Sequence, residues 1–273
     1  MTAVADTPSS SERSARAVGR RGGPALVVAA VGAAVWWVGA VLADSAVVPT
    51  PVEALRSLVA ELAQPGFRAS VLDTVRVLVL SYVPAAVVGA VLGALLGVRP
   101  FWSRVALPLA YAVNTVPKVT LFPIFLVFLG LGDLSRGAFA FLSGVLPMFL
   151  IAAEAGRGVP RTQLKLAASL GVGDLRVLPM VVWPAVMPAV ATGLRLTFGF
   201  TFLGLIIAEM FAASSGLGQQ ILRNVALARM EYIAGEIVLI AVLALVPFLL
   251  LRWLERRIIV RFGAHLAPRG SRP

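Results

Sequence analysis

Long apolar runs, each about a bilayer deep, alternate along the chain with short polar stretches that carry most of the arginines. The first run, 25–43, follows a polar stretch over 1–24 that holds Arg13, Arg16, Arg20 and Arg21. A helix over 25–43 reaches about 28 Å at 1.5 Å per residue, close to the hydrocarbon thickness of roughly 30 Å. The run is longer than the apolar core of a secretory signal and lacks a clear cleavage site, so it reads as a transmembrane helix. Further apolar runs predict spans over about 71–97, 105–131, 137–155, 186–210 and 234–252, six in all. The third carries Pro108, Pro117 and Pro123 and is expected to be kinked or broken. After Pro49 and Pro51, Val52 to Leu62 reads as a short amphipathic helix lying outside the spans.

Charge orients this pattern. With the N-terminus in the cytoplasm, the inner segments hold Arg13, Arg16, Arg20 and Arg21, then Arg99 and Arg104, then Arg157, Arg161, Lys165 and Arg176, and finally Arg252, Arg256, Arg257, Arg261, Arg269 and Arg272. The outer segments hold only Arg56, Arg68, Arg136, Arg223 and Arg229. Lysine and arginine gather on the cytoplasmic side, so both termini are expected there, with the polar stretch 156–184 beside them. The expected organisation is a disordered cytoplasmic arm over 1–24, a membrane domain over 25–260 and a cytoplasmic tail over 261–273.

Composition agrees with an all-α integral membrane protein. Hydrophobic residues make up 59% of the chain and charged residues only 14%, with a mean hydropathy of +0.92. That is too little charge to clothe a soluble surface. The net charge of +11 lies between apolar blocks rather than on one polar face, which argues for membrane lipid and against nucleic acid. Without cysteine, and with His265 as the single histidine, the chain offers no evident metal or acid–base constellation. It also lacks a phosphate-binding Gly-x-x-x-x-Gly-Lys-Ser/Thr loop. No convergent catalytic set supports a membrane enzyme. An ion-coupled secondary carrier would need central carboxylates or paired broken helices in two repeats, and neither is evident.

Within the membrane, Ser81, Ala85, Gly89, Gly93 and Gly97 recur every fourth residue, as do Ala189, Gly193, Thr197 and Thr201. Such stripes permit close helix approach, within one bundle or at a pore or dimer interface. Asp73, Arg76, Lys118, Glu154, Arg195 and Glu209 are ionisable at or near membrane depth. Asp73, Glu154 and Glu209 fall near span ends, where the interface can solvate them. Asn114, Lys118, Arg195 and Glu209 are the candidate translocation path. Lys118 either snorkels to the interface or offers a cation to an anionic solute.

The stretch 161–188 predicts a helix–glycine–helix knob. Leu164, Ala167, Ala168 and Leu170 supply small or apolar side chains, Gly171 and Gly173 interrupt the helix, and Asp174 is a candidate cap for a second helix. Pro179, Pro184 and Pro188 steer the chain back into the membrane. A structured apolar knob outside the bilayer implies a docking partner.

The knob carries a family resemblance. Lys165-Leu166-Ala167-Ala168-Ser169-Leu170-Gly171, followed by Val181-Val182-Trp183-Pro184, resembles the cytoplasmic coupling motif of bacterial ABC importer permeases. Val48-Pro49-Thr50-Pro51, Ala155-Gly156, Gly193-Leu194-Arg195-Leu196, Ala208-Glu209-Met210 and Ser215-Gly216-Leu217-Gly218 extend the likeness over roughly 45–260. The nitrate/sulfonate/taurine branch is the most similar. The resemblance implies the type I importer permease fold in a bacterial inner membrane. It also implies a homodimer, two separate ATPase subunits and an extracytoplasmic binding protein. ATP would be bound by the partner, and no cofactor or catalytic residue is expected here. Lys165, Ala167, Ala168, Leu170, Gly171, Asp174 and Pro184 would couple to the ATPase. The outer segments 44–70 and 211–232 would receive the binding protein. Nitrate, aliphatic sulfonate and taurine are the implied solutes, with bicarbonate and a thiamine-precursor pyrimidine as alternatives within related permeases. Lys165 and Leu166 stand where the family often has Glu and Ala.

Overall fold

The computed structural model describes residues 23–43, 49–212 and 214–263. Of the arm expected over 1–24 and the tail expected over 261–273, residues 1–22 and 264–273 lie outside them, while 23–24 and 261–263 are helical. The described residues are helical, with no strand among them. In chain order the helices are α1 (Gly23–Ala43), α2 (Pro51–Leu62), α3 (Pro65–Val98), α4 (Pro100–Thr115), α5 (Phe122–Leu129), α6 (Asp133–Arg157), α7 (Arg161–Ser169), α8 (Asp174–Val177), α9 (Trp183–Ala212), α10 (Leu217–Ala226) and α11 (Met230–Gly263). A short 3-10 turn, Lys118–Leu121, precedes α5, and a π-helical stretch, Leu178–Val182, joins α8 to α9.

Proline sets several of these boundaries. A residue before proline is pushed out of the helical region by the ring. Arg99 and Val116, each followed by proline, are extended at ψ 113° and 128°. The first ends α3, and Pro100 then begins α4. The second breaks the third expected span at Pro117, bending Pro100–Thr115 against Lys118–Leu129 by 85°. Pro108 sits inside α4 without ending it. At α2, Thr50 and Glu53 form a reciprocal capping box, and the backbone and hydroxyl of Thr50 hold the Glu53 carboxyl below its usual range.

Among the described residues, four stretches are long and apolar enough to cross a membrane: α3, α6, Leu178–Phe211 and α11. The bent pair is a fifth candidate. The first of the six expected spans, α1, is helical over Gly23–Ala43, but its apolar part with described side chains, Ala30–Leu42, is too short to count alone. The last helix is longer than its apolar pattern suggests. It runs to Gly263, so Arg252, Arg256, Arg257 and Arg261 lie on the helix rather than in a tail.

Helix α6 is the centre of the bundle, packed between α3 and α9. Both small-residue stripes turn onto it. A Cβ added to Gly89 or to Gly193 would collide with Met148, and one at Gly93 would meet the Phe149 carbonyl and the Ala152 Cβ. Thr197 and Thr201 are fully buried, against Gly144. The stripes are therefore filled from within the chain. Lipid is as apolar as this core, so close van der Waals contact holds the helices, not removal of surface from water. By contrast, only 11% of the apolar window of α11 is buried, against 50% in each of the other three, which places α11 at the periphery.

Candidate functional site

The knob is built as the spacing suggests, with a defined turn at its centre. Helix α7 ends in a Schellman motif: the Val172 amide donates to the Ala167 carbonyl and the Gly171 amide to the Ala168 carbonyl, both at 3.0 Å. That closure requires a left-handed residue, and Gly171 supplies it at φ +70°. Gly173, not Asp174, occupies the cap of α8, with its carbonyl accepting from the Arg176 and Val177 amides. Asp174 is the first helical residue. The chain then widens into the π stretch, where the Trp183 amide reaches back to the Leu178 carbonyl. Pro184 has no amide hydrogen and its ring crowds the carbonyl four residues back, so a wider turn fits here.

The knob has two faces. Ala167 is buried, turned into the protein, rather than offered to a partner. Leu164, Val177, Leu178 and Val181 pack with it on the bundle, against the core around Val159, Val182 and Val186. Lys165, Leu166, Ala168 and Leu170 face out, and Leu166, Leu170 and Met180 are large apolar side chains left exposed on the knob. Pro184 is half-buried at the start of α9.

The opposite end of the bundle holds a polar clasp that the sequence pattern did not reveal. Arg136 is only 2% exposed. Its Nη2 donates to Asp73 Oδ2 and to Asp133 Oδ1, each at 2.5 Å, and its Nη1 donates to the Ser215 carbonyl at 2.8 Å. Glu209 Oε1 lies 3.6 Å from the same Nη1. Glu209 was expected near a solvating interface, yet it is fully buried. The Thr74 hydroxyl donates to its carboxylate at 2.9 Å, and the Gly218 amide donates to Oε2 at 3.0 Å. The Leu217 amide in turn donates to Thr74 Oγ1 at 2.9 Å, and the Ser215 hydroxyl donates to Asp73. The segment 214–218 thus folds back over the ends of α3, α6 and α9. Arg136, assigned by its position to an outer loop, is the cation that these three carboxyl groups share.

The outer segments also come together. The Ser57 hydroxyl donates to the Glu231 carbonyl at 2.9 Å, Gln220 donates to Ser70 Oγ at 2.9 Å, and Asn224 donates to Glu236 Oε1 at 2.8 Å. Burial pushes the Glu61 carboxyl on α2 up to about 7. Arg56 and Arg223 remain exposed.

Of the candidate path residues, the structure brings only Asn114 and Lys118 together, with Lys118 Nζ donating to Asn114 Oδ1 at 3.0 Å. Lys118 is half-buried at the break in the bent pair, 6.0 Å from the Phe200 ring centroid on α9. Arg195 turns to the last helix, 3.6 Å from Glu255 Oε2 and over the Phe248 ring. Glu209 is closed into the clasp.

Residues 85–260 match the family described as binding-protein-dependent transport system inner membrane component. Among curated proteins, the taurine transport system permease protein TauC of Escherichia coli is 29% identical, over 82% of this chain and 84% of TauC. The putative aliphatic sulfonates transport permease protein SsuC of Bacillus subtilis is 26% identical, over 86% of each chain. A putative ABC transporter permease protein of Methanocaldococcus jannaschii is 27% identical, over 68% of this chain and 70% of the relative.

Proposed function

We propose that this chain, which belongs to the family of binding-protein-dependent transport system inner membrane components, imports a small solute bearing a sulfonate group, taurine or an aliphatic sulfonate. Membership makes it a multi-pass inner-membrane permease of an ABC transporter. The exposed apolar face of the knob, Leu166, Leu170 and Met180, is the observation that carries the energy-coupling part of this reading. Three large apolar side chains on a turn held by its own hydrogen bonds suit a preformed cleft on a partner. In our reading that partner is an ATPase, two copies of which move the knobs of two permease copies and so open the path alternately to each side. ATP is bound by the partner alone. The surface formed by α2, α10 and the start of α11 receives the solute-loaded binding protein.

The relatives named for taurine and aliphatic sulfonates support the solute class, and Lys118 supports it from the residues. A half-buried ammonium beside an aromatic face and an amide oxygen suits a transient contact with an anionic headgroup. The test is uptake of labelled taurine and of an aliphatic sulfonate into proteoliposomes holding the permease, its ATPase and its binding protein. Uptake should require ATP inside the vesicles or on the ATPase face, and Lys118→Ala should lower it about tenfold with assembly unchanged. Uptake that continues without ATP would refute the ABC mechanism, and unchanged uptake by Lys118→Ala would remove that residue from the path.

A further inference from the structure

We propose that the cleft between α4, the end of α6 and the start of α7 binds the phosphate headgroup and first acyl carbons of an anionic phospholipid from the cytoplasmic leaflet. The proposal rests on the cytoplasmic placement of the knob, and on nothing else in the transport reading.

The cleft has a volume of about 690 Å³. Arg104, Arg157 and Arg161 line it, and its single lining carboxylate is Glu154. That carboxylate is already engaged: Oε1 accepts from the Tyr111 hydroxyl at 3.2 Å, and Oε2 lies 3.7 Å from Arg157 Nη1. Arg104 donates only its Nε, to the Pro100 carbonyl at 3.0 Å. Its terminal nitrogens, and the whole guanidinium of Arg161, have no hydrogen bond or ion pair among the described residues. Two cations therefore remain for an incoming anion, one on the membrane body and one on the knob.

The shape of the cleft separates a lipid from a free ion. It follows α4 from Pro100 to Tyr111, a rise of about 16 Å. Arg104 lies one turn along α4 from Pro100, beside exposed Phe101 and Trp102 in sequence, aromatic residues of the kind that mark the membrane–water interface. Val98, Leu107 and Leu164 add apolar lining that a small hydrated anion has no use for. Basic pockets between helices on the cytoplasmic side are suited to anionic headgroups. The exposed knob residues Leu166, Leu170 and Met180 do not line the cleft. A headgroup held by Arg104 and Arg161 together would tie the knob to the leaflet.

The experiment uses the full-length permease, delipidated in mild detergent and titrated with phosphatidylglycerol or with phosphatidylcholine of the same acyl chains. Retained lipid is counted by native mass spectrometry. Phosphatidylglycerol should be retained on the order of tenfold more tightly than phosphatidylcholine. Arg104→Gln with Arg161→Gln should abolish that preference, whereas Arg56→Gln with Arg223→Gln, at the other end of the molecule, should keep it. Equal retention of both lipids overturns the proposal, as does a cleft variant that behaves like wild type. Full displacement of the lipid by millimolar inorganic phosphate would assign the cleft to a free anion instead. A cleft variant that keeps the lipid but fails to capture the ATPase would assign it to the subunit interface. Retention is read on the permease alone, so wild-type protein that holds the lipid but captures no ATPase would sink the importer reading and leave this one standing.

Discussion

Gly171 and Gly216 hold backbone conformations that side-chained residues avoid, at opposite ends of the same bundle. Gly171 has φ +70°, and a Cβ built on it meets nothing within 4 Å. Gly216 has φ 107° and ψ 166°, and a Cβ there would fall 2.5 Å from Glu209 Cδ. The first glycine is demanded by the turn alone. The second is demanded by the turn and by what the turn encloses. The knob is thus a locally determined structure that leaves its outer surface free for a partner. The clasp is determined by long-range contacts and leaves no room for anything else.

The sharpest way to break this comparison is at Arg136. Removing one partner of a buried charge set costs about 3–5 kcal/mol. Arg136→Ala should therefore abolish the monodisperse protein peak on size exclusion in detergent, while Arg136→Lys keeps part of it. Next comes Gly216→Ala. Its backbone region is nearly closed to other residues and costs about 1–3 kcal/mol, with displacement of the Glu209 carboxylate added. A clear fall in melting temperature is expected, and a wild-type value would contradict the packing described. Gly171→Ala carries only the left-handed cost, about 1–2 kcal/mol, localised to the knob. The melting temperature should stay near wild type while ATPase capture in a pull-down falls several-fold. If both fall together, the knob is not the independent unit inferred here.

The smallest effect is one of pH. The Glu61 carboxyl is raised from 4.5 to about 7 by burial. A raised carboxyl favours the folded state below 4.5, and that advantage is lost as the pH climbs through about 7. Hydrogen-exchange protection of Pro51–Leu62, corrected for the intrinsic exchange rate at each pH, should accordingly fall between pH 4.5 and about 7, and Glu61→Gln should make that change shallower.

The span pattern was legible because it is local: each apolar run, proline and capping residue acts on its own neighbours. The break at Pro117 and the turn at Gly171 follow from single residues in this way. Arg136 was not legible. Its position after a short polar turn resembles that of any loop arginine, and its partner Asp73 lies 63 residues away. Glu209 misled for the same reason. It sits close enough to a span end to be solvated, until 214–218 folds back and donates the Gly218 amide. The available signal was depth: Asp73, Arg136 and Glu209 all fall at the outer ends of their helices in the orientation set by the arginines. The small-residue stripes showed that helices meet closely without naming the partner. Met148, touching both Gly89 and Gly193, is what identifies it.

The π stretch at Leu178–Val182 has a mechanical consequence. It lets α8 run into α9 without an intervening loop, so Asp174 to Ala212 is a single strut. One end of that strut is in the knob, and the other carries Glu209 into the clasp, about 50 Å away by helical rise. The π turn, Pro184 and Pro188 are the points along the strut where a bend would fall. The knob and the buried ion set are thus the two ends of one continuous helical stretch, with no loop between them.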